Sequence, residues 1–532
     1  MRGGRPAAWL LGVLVLSAIV ITVPAGRRPF WSSDEARYAL LGQDVLERGQ
    51  WLVAQLRDQP YLNKPQLFFW TVAVVSMPFG RVSEATAAIP PVIASLVGVI
   101  GVIAIGHLLW GWWTGVVAGL VLVTTPFHFE MSHQVLPDLM LNAWLVWALY
   151  WLLRAQRGGW RLGPLLAFYA CLTGGLLSKG PQALAALAAA GVAIAVSDGP
   201  ATLRRMRPLL GGALMLVAAW VMWLGPYSAA SAGRFGDRVL VGHYLTWYLL
   251  GPMLSQLGAL ATPLLAFLPW ILFLVAAPVW WRQSPSTDRR RLLAWTATLW
   301  VLAAVSGNAR ARYLLPVFPG LALLTAEFLT APVVGRSLRA LRLAASSAAG
   351  FAIVTVAVIT TPMARKLAGS EHPYVPTALW EQAAISVLAL AAAAALIVAA
   401  RRGVPGEGAV GLALGMAGVL VIVGITYPAR YTRSFDLRPT AAAIAAYVPP
   451  SGTVLGHPDV RLAYNFYVRR HIVEMRDGAD VRTRAATAPP EAILVSADRW
   501  RVLALPEAAA WRVLASNRLG NRTIILVGRP AP

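Results

Sequence analysis

Cysteine, histidine and acidic residues are scarce in this sequence. Cys171 is the single cysteine, so no disulfide can form within the chain. The 7 histidines show no Cys/His spacing typical of a structural zinc site. Asp and Glu number 23 against 46 Lys and Arg, and charged residues make up only 13% of the chain. A soluble domain is usually about 45–50% apolar, and this chain exceeds that range.

Apolar residues are abundant instead. They make up 58% of the chain, and the mean hydropathy is +0.61. A single soluble domain of 532 residues would be unusually large, whereas a bundle of many membrane helices fits this length. The 22 tryptophans suit anchoring at the membrane interfaces. We therefore predict a polytopic protein that spans the lipid bilayer.

The apolar residues are grouped into about 13 runs that approach the roughly 20 residues needed to cross a membrane. The first follows two arginines and resembles a signal peptide, but the many later runs favour an uncleaved helix. The runs lie near 7–25, 86–108, 112–127, 134–153, 162–178, 180–197, 209–226, 257–280, 292–306, 313–331, 343–361, 381–400 and 409–427.

The formal net charge of +23 is distributed among short loops, not along one basic stripe, so we predict no nucleic-acid partner. Arginine clusters follow alternate apolar runs, at 154–161, 204–207, 282–291, 336–342 and 401–402. Cytoplasmic loops carry such an excess of basic residues. The pattern predicts a cytoplasmic N-terminus and, with an odd number of spans, an external C-terminus.

The apolar runs divide the chain into a transmembrane part with two long external loops and an external C-terminal domain. Residues 1–430 form the predicted transmembrane part, with external loops at 26–85 and 226–256. Residues 431–532 alternate short β-like and helix-like runs, as in a small α/β domain of about 100 residues. The predicted fold class is a mainly α polytopic membrane helical bundle with a small external α/β domain.

The first external loop contains a carboxylate with two interpretations. Ser32 and Glu35 have the spacing of a helix capping box, which accounts for Glu35. Asp34 would then lie in the first helical turn, where the helix dipole favours an acid. A carboxylate just outside the membrane could equally orient or deprotonate an acceptor. Arg37 and Tyr38 lie three and four residues further on, on the same helical face, which favours a site.

A second candidate acid, Asp138, precedes an apolar run. Burying an ionised side chain at a membrane helix centre costs about 2.5–3.5 kcal/mol, and less near its end. Pro137 before it would also allow an ordinary acid in the first turn of a helix, but we favour a functional role. His128 and His133 are five residues apart and do not share a helical face, so we predict that they are core or interface residues.

On the predicted external side, Lys179, Arg310 and Arg312 stand at membrane depth and Lys64 lies in the first loop. Because a lysine ammonium binds phosphate as a point charge, they predict a site for an anionic head group. Ion pairing is the alternative, and both can hold together. The available external carboxylates are Asp34, Glu35, Glu130 and Asp138.

Residues 32–70, SSDEARYALLGQDVLERGQWLVAQLRDQPYLNKPQLFFW, resemble the first external loop of bacterial aminoarabinose-transferase-like and protein-mannosyltransferase-like enzymes, which are GT-C glycosyltransferases. The resemblance extends to PDLML at 137–141, SKGP at 178–181 and RYLLPVFP at 312–319. With the number of spans and the external C-terminal domain, it covers essentially the whole chain.

The resemblance implies an enzyme that takes a hexosyl or pentosyl group from a polyprenyl-phosphate (undecaprenyl-phosphate) carrier. It also implies transfer to an acceptor at the outer face of the bacterial inner, or plasma, membrane. The catalytic acids of the family fall on Asp34 and Asp138, its motif arginine on Arg37 and its loop lysine on Lys64.

The resemblance also bears on cofactors. In the aminoarabinose enzymes a glutamate just before the loop lysine and a later external histidine can hold zinc. Here Asn63 stands at the glutamate position and is a poor zinc ligand, while His243 matches the histidine. The sequence therefore does not establish a metal cofactor, and Asn63 argues against a bound divalent metal. The same departure weakens an assignment to aminoarabinose and lipid A.

The hypothesis is one displacement at the anomeric carbon. Lys64, Lys179 and Arg312 would stabilise the departing phosphate. Asp34 would orient or deprotonate the acceptor, and Asp138 would position Arg37 or the acceptor. Glu35, Tyr38, Arg310 and His243 complete the predicted substrate-binding set.

Two other classes compete with the transferase. A transporter or lipid flippase would place its charged residues near the bilayer midplane, often in repeated halves, whereas here they gather at one face. A non-catalytic receptor would have no need of Asp34 and Lys64. The sugar stays open among aminoarabinose, mannose, galactosamine and arabinose, and so does a lipid, protein or cell-wall glycan acceptor.

Overall fold

The computed structural model describes most of the chain. The described residues are 6–30, 32–231, 236, 241–242, 258–306, 310–361, 374–457, 460, 462–487, 490–503 and 511–528. Most of the predicted second external loop, including His243, lies outside them.

The described chain is mainly helical, and each predicted apolar run coincides with one helix or with several in succession. Short 3₁₀ segments include Pro181–Ala183 and Ala311–Val317. The α-helices are α1 Pro6–Thr22, α2 Ser33–Arg48, α3 Leu67–Ser76, α4 Glu84–Trp110, α5 Trp112–Val123, α6 Pro126–Ser132, α7 Asp138–Arg157, α8 Leu162–Lys179, α9 Leu184–Asp198, α10 Pro208–Ala219, α11 Gly225–Ala230, α12 Gly258–Ala266, α13 Ile271–Ala276, α14 Pro278–Trp281, α15 Thr287–Ala304, α16 Phe318–Thr330, α17 Gly335–Thr360, α18 Leu379–Arg402, α19 Pro405–Phe435, α20 Arg438–Tyr447, α21 Ala463–Val468, α22 Gly478–Thr487 and α23 Ala497–Leu503.

Within the described residues, eight helices are long and apolar enough to cross a membrane, or nine if a bent pair counts as one span. The chain is therefore a multi-pass membrane protein, but the predicted number of 13 spans is not confirmed. The bent pair is α5 and α6, which meet at 68°. The sequence suggested one span at 112–127, whereas Pro126 cannot continue a hydrogen-bonded helix and starts a new one.

The first external loop folds into two packed helices, α2 and α3. Ser32 caps α2 as predicted, its hydroxyl accepting a hydrogen bond from the N–H of Asp34 at 3.2 Å. Gly42 allows α3 to come close, because a Cβ there would meet the side chain of Val72 at 2.5 Å. The loop before α3 is held by the hydroxyl of Tyr227, which donates to the carbonyl of Lys64 at 2.9 Å. This packing fixes the position of Lys64 relative to α2.

The C-terminal part contains a five-stranded sheet of order β4-β3-β5-β7-β6, with parallel pairing at β3 and antiparallel pairing at β7. The β-like runs of the sequence, GTVLG, HIVEM, EAILVSA and TIILVG, overlap with β3, β4, β5 and β7, whereas β6 was missed. Helix α19 also runs to Phe435, past the predicted boundary at 430. The strands are the hairpin β1 Gln55–Leu56 and β2 Gln59–Pro60 of the first loop, then β3 Val454–Gly456, β4 Val473–Glu474, β5 Ala492–Ser496, β6 Arg512–Leu519 and β7 Arg522–Gly528.

One side chain of the C-terminal part joins both ends of the first external loop. The hydroxyl of Tyr467 accepts a hydrogen bond from the N–H of Phe30 at 2.7 Å. The same hydroxyl donates to the carboxylate of Glu84 at 3.0 Å. The C-terminal part is therefore bonded directly to the loop that carries Asp34.

Candidate active site

The carboxylate of Asp34 is surrounded by arginines. Arg37, one turn further along α2, donates to it at 2.5 Å. Arg312 and Arg310 reach it from a segment some 276 residues away and donate at 2.8 and 3.1 Å. The Asp34 side chain is only 18% exposed. The structure thus brings four of the predicted site residues into direct contact.

A second ion pair lies beside the first. The ammonium of Lys179, at the end of α8, donates to the carboxylate of Asp138 at 2.6 Å. It also lies 4.5 Å from the ring centre of Tyr313, within the range of a cation–π interaction. Arg312 links the two pairs, because its Nε is 4.0 Å from Asp138 while its Nη2 is bonded to Asp34.

Lys64 is the third element of this cluster, and it is 8% exposed. Burial and the positive charge of Lys179 lower the pKa of its ammonium more than Asp138 and Asp34 raise it, and the pKa falls to about 7. Burial and nearby positive charge make the protonated form of this lysine costly. A bound anion reduces that cost, so the ammonium is strongly stabilised when an anion binds. The predicted acids and the cations Lys64, Lys179 and Arg312 are therefore neighbours.

The arginines also determine what Asp34 can do chemically. Burial raises the pKa of Asp34, but the hydrogen bond and charge of Arg312, with the charges of Arg37 and Arg310, outweigh it and lower the pKa overall. A carboxylate with a lowered pKa is a weak base. Of the two predicted roles for Asp34, orienting a reactant is better supported than taking up its proton.

Glu35 differs from its prediction. It does not complete the capping box with Ser32; its carboxylate accepts two hydrogen bonds from Arg28, at 2.7 and 3.0 Å, and one from the N–H of Val135 at 3.1 Å. A buried arginine with a matching fork of donors competes successfully for a carboxylate. Glu35 thus ties the start of α2 to the segment leading into α7, and the contacts do not support its predicted role in binding substrate.

Tyr38 lies on the predicted helical face but is buried, with its ring 5.7 and 5.9 Å from those of Phe68 and Phe69. Burial raises its pKa well above that of a free tyrosine. Tyr38 is therefore part of the packed core between α2 and α3, and it is not an exposed substrate contact.

Sequence reasoning missed three residues of the site. Tyr61 lies beside Arg37 and Asp34, and burial raises its pKa to about 12. Tyr313 lies under Lys179, and Arg28 pairs with Glu35. Tyr61 and Tyr313 adjoin charged motifs that the sequence had indicated, but nothing local distinguishes them from ordinary interface aromatics.

Residues expected near the site occupy other places. Both His128 and His133 are buried, as predicted, and their Nε2 atoms lie 2.8 and 3.3 Å from the hydroxyls of Ser95 and Tyr374.

The part of the chain that the structure describes contains no group of three His, Cys, Asp or Glu side chains that could bind a metal ion together. Asn63 offers only an amide, so the residues seen do not fit the family's zinc site. The lack of a required metal stays a prediction.

An apolar groove of about 440 Å³ is lined by residues of α3, α4 and α7. Leu67 and Met140, which follow Lys64 and Asp138 by three and two residues, lie at one part of its wall. Its other lining residues are mostly aliphatic and aromatic side chains of α3, α4 and α7, among them Trp70, Ile93 and Trp147. Its apolar lining suits a hydrocarbon chain.

Comparisons with known proteins agree with this architecture. Residues 63–223 match the family described as dolichyl-phosphate-mannose-protein mannosyltransferase. The chain is 27% identical over 341 residues to the undecaprenyl phosphate-alpha-4-amino-4-deoxy-L-arabinose arabinosyl transferase of Pectobacterium carotovorum, and 26% identical to that of Yersinia enterocolitica. These matches cover 60% and 61% of this chain but only 59% and 60% of the relatives.

The fold comparison covers far more. The crystal structures of ArnT from Cupriavidus metallidurans, in the apo state and bound to undecaprenyl phosphate, superpose with TM-scores of 0.74 and 0.72. Each covers 98% of both chains at 20% and 19% sequence identity. The resemblance read from the first external loop is therefore confirmed: the chain has the fold of the aminoarabinose-transferase-like GT-C glycosyltransferases.

Proposed function

We propose that this protein is a membrane glycosyltransferase that moves a sugar from a polyprenyl-phosphate carrier to an acceptor at the outer face of the bacterial plasma membrane. The observation that carries the proposal is the joined cluster of Asp34, Arg312, Asp138 and Lys179, with Lys64 beside it. The arabinosyl transferases among its relatives favour a pentose or aminopentose. A flippase would have no use for such a cluster at one face.

The donor phosphate is proposed to bind Lys64, Lys179 and Arg312. In the free protein Asp138 and Asp34 partly neutralise these cations. An arriving phosphate would share them, and charge-assisted hydrogen bonds of this kind are about twice as strong as neutral ones. The carrier's isoprenoid chain would occupy the apolar groove of α3, α4 and α7, whose lining includes Leu67, three residues after Lys64.

The proposed reaction is a single displacement. The bond between the anomeric carbon and the phosphate oxygen breaks, and its electron pair leaves with the polyprenyl phosphate. An acceptor oxygen forms the new bond to the anomeric carbon. Lys64, Lys179 and Arg312 would stabilise the negative charge that grows on the departing phosphate, which is electrostatic catalysis.

Asp34 is proposed to act by orientation. Its arginine partners hold it ionised, so it can accept a hydrogen bond from an acceptor hydroxyl and fix the direction of attack. An acceptor that is already ionised, such as a phosphate, needs no base. For a hydroxyl acceptor the proton would pass to Asp34 only as the new bond nears completion, when the oxygen becomes acidic.

The proposed orientation in the membrane follows from the arginine clusters. Arg157 and Arg291, in two of the basic loops, both pair with Asp288. Asp34 and its partners belong to the segments predicted to be external. Under the positive-inside rule the arginine-rich face is cytoplasmic, which supports an external active site.

The decisive experiment supplies membranes containing this protein with radiolabelled polyprenyl-phosphate arabinose, aminoarabinose or mannose, and follows the label into lipid, protein or glycan. We expect Asp34→Asn to reduce transfer by about 10²-fold or more. Asp498→Asn, at a side chain 85% exposed on α23, is the control and should retain transfer. Full activity in Asp34→Asn, or no transfer from any carrier-linked sugar, would contradict the proposal.

A further inference from the structure

A second cavity lies outside the membrane-spanning helices and away from the Asp34 cluster. It is a cleft of about 450 Å³ between the later turns of α2, the β1–β2 hairpin, residues 81–84 and residues 465–471. This volume is within the usual range for small-ligand sites. None of the residues proposed to bind the donor or to orient the acceptor lines it.

Two buried donors in the wall of this cleft have no partner among the described residues: Nδ2 of Asn465 and Nε of Arg57. Asn465 is only 6% exposed, and its Oδ1 already accepts a hydrogen bond from the N–H of Ile472 at 3.2 Å. That bond fixes the orientation of the amide and leaves Nδ2 as the open donor. Buried donors are normally paired, and these two atoms are open donors in the cleft wall.

The backbone of the cleft wall is strained in the same places. Arg57, Asp58 and Arg469 have φ of 55°, 58° and 55°, in the left-handed region. Arg57 and Asp58 form the two-residue turn of the β1–β2 hairpin, and Arg469 ends α21. Glycine or asparagine would adopt these conformations at lower cost. Arg57 and Arg469 thus keep long side chains where the backbone does not favour them, as residues of functional sites often do.

The cleft also has an excess of positive charge. Six arginines and four carboxylates line it. Some arginines are engaged: Arg48 pairs with Asp58 at 2.7 Å, and Arg470 donates to backbone carbonyls. Arg81 and Arg469 are exposed, and within the described ranges neither guanidinium has a hydrogen-bond or ion-pair partner. These two can therefore bind an anion without giving up another contact.

We propose that this cleft binds a saccharide that carries a phosphate or a carboxylate. Arg81 and Arg469 would hold the anionic group, since guanidinium groups match both oxyanions in geometry. Nδ2 of Asn465 and Nε of Arg57 would donate to ring or hydroxyl oxygens, and the half-buried ring of Phe466 provides an apolar face for the sugar. As a place that retains an anionic acceptor glycan, the cleft rests on the proposed function; as a binding site, it does not.

The test measures binding to the full-length chain in detergent by isothermal titration. The probes are trigalacturonate and glucose 6-phosphate, with maltotriose and inorganic phosphate as the neutral and the sugar-free comparison. We expect both anionic sugars to bind and to compete with one another. The double variant Arg81→Gln/Arg469→Gln should weaken binding by about fivefold or more.

The matched control is Arg518→Gln/Arg522→Gln, which removes the same charge from exposed positions of β6 and β7 that do not line the cleft. Asn465→Ala tests the inner donor, and it should reduce affinity for the sugars more than for inorganic phosphate. Unchanged binding in the Arg81/Arg469 variant, or equal binding of maltotriose or inorganic phosphate, would overturn the proposal. Asp34→Asn should bind the sugars normally, which separates failure of this site from failure of transfer.

Discussion

The ammonium of Lys179 and the carboxylate of Asp138 are 2.6 Å apart, and only 5% and 4% of their side chains are exposed. A buried ion pair of this kind is strongly coupled, because either charge alone would be left without a partner. The pair lies between the helix that carries Asp138 and the tight turn after α8. It is therefore a structural contact as well as part of the proposed phosphate site.

The first prediction concerns the variant Lys179→Met, which removes the direct ion-pair partner of a buried carboxylate and leaves Arg312 4.0 Å away. We expect a loss of about 3–5 kcal/mol in the free energy of unfolding, together with loss of transfer. The double variant Asp138→Asn/Lys179→Met should regain much of the stability but none of the activity. Equal stability of the single variant and the native protein, measured by unfolding in mixed detergent micelles, would refute the coupling.

The second prediction concerns pH. The donor phosphate should bind the ammonium form of Lys64, whose pKa is lowered to about 7. Below that pH Lys64 is already protonated; above it, each binding event must take up a proton. The KM for the donor should therefore rise between pH 7 and 9, by at most about tenfold per unit. Lys64→Arg keeps its charge over this range, so its KM should be nearly flat; an equal rise in both proteins would exclude Lys64 as the cause.

The third prediction separates positioning from binding at Glu35. Glu35→Gln leaves the buried guanidinium of Arg28 without its charge partner and weakens the bond to the N–H of Val135. We expect kcat to fall while the KM for the donor changes little, with a loss of stability of about 3–5 kcal/mol.

The control for Glu35→Gln breaks an exposed ion pair instead. Arg501 and Asp498 are 78% and 85% exposed, and Arg501→Gln should leave kcat and stability nearly unchanged. A rise in KM as the main effect of Glu35→Gln would instead restore Glu35 to the substrate-binding residues predicted from the sequence.

The fourth prediction tests the apolar groove. Ile93 lines it and is 50% exposed, so Ile93→Trp should fill part of the groove and leave the fold intact. Its KM should rise several-fold for a carrier of full isoprenoid length and little for a short-chain analogue. Ile353→Trp, at a residue 52% exposed on α17, is the matched control and should alter neither KM. The same KM for long and short carriers in Ile93→Trp would place the chain elsewhere.

Local patterns in the sequence predicted a good part of the fold. Each apolar run lies on helix because burial of apolar side chains in a bilayer leaves the backbone little alternative. The cap at Ser32 was also correct, because it needs only neighbouring residues. The missed strand, β6, exposes half of its residues and buries only one, so its apolar pattern was weak.

The candidate site was harder to predict, because its partners are distant in sequence. Asp34 meets Arg312 across 278 residues, and Glu35 meets Val135 across 100. Local spacing suggested a capping box for Glu35, whereas tertiary contact supplied a stronger partner in Arg28. The residue types and the external location could be read from the sequence, but the pairing of each acid with its cations required the fold.

The hydroxyl of Tyr467 has a consequence for how such a chain can be divided. Its hydrogen bonds to Phe30 and to Glu84 hold the two ends of the first external loop together. A shortened protein ending at Phe435 would retain every residue of the Asp34 cluster, yet the loop that carries Asp34 would lose its fastening at both ends. The C-terminal part and the first loop therefore depend on one another structurally. A chimera that takes one of them from a related protein would need to take the other from the same protein.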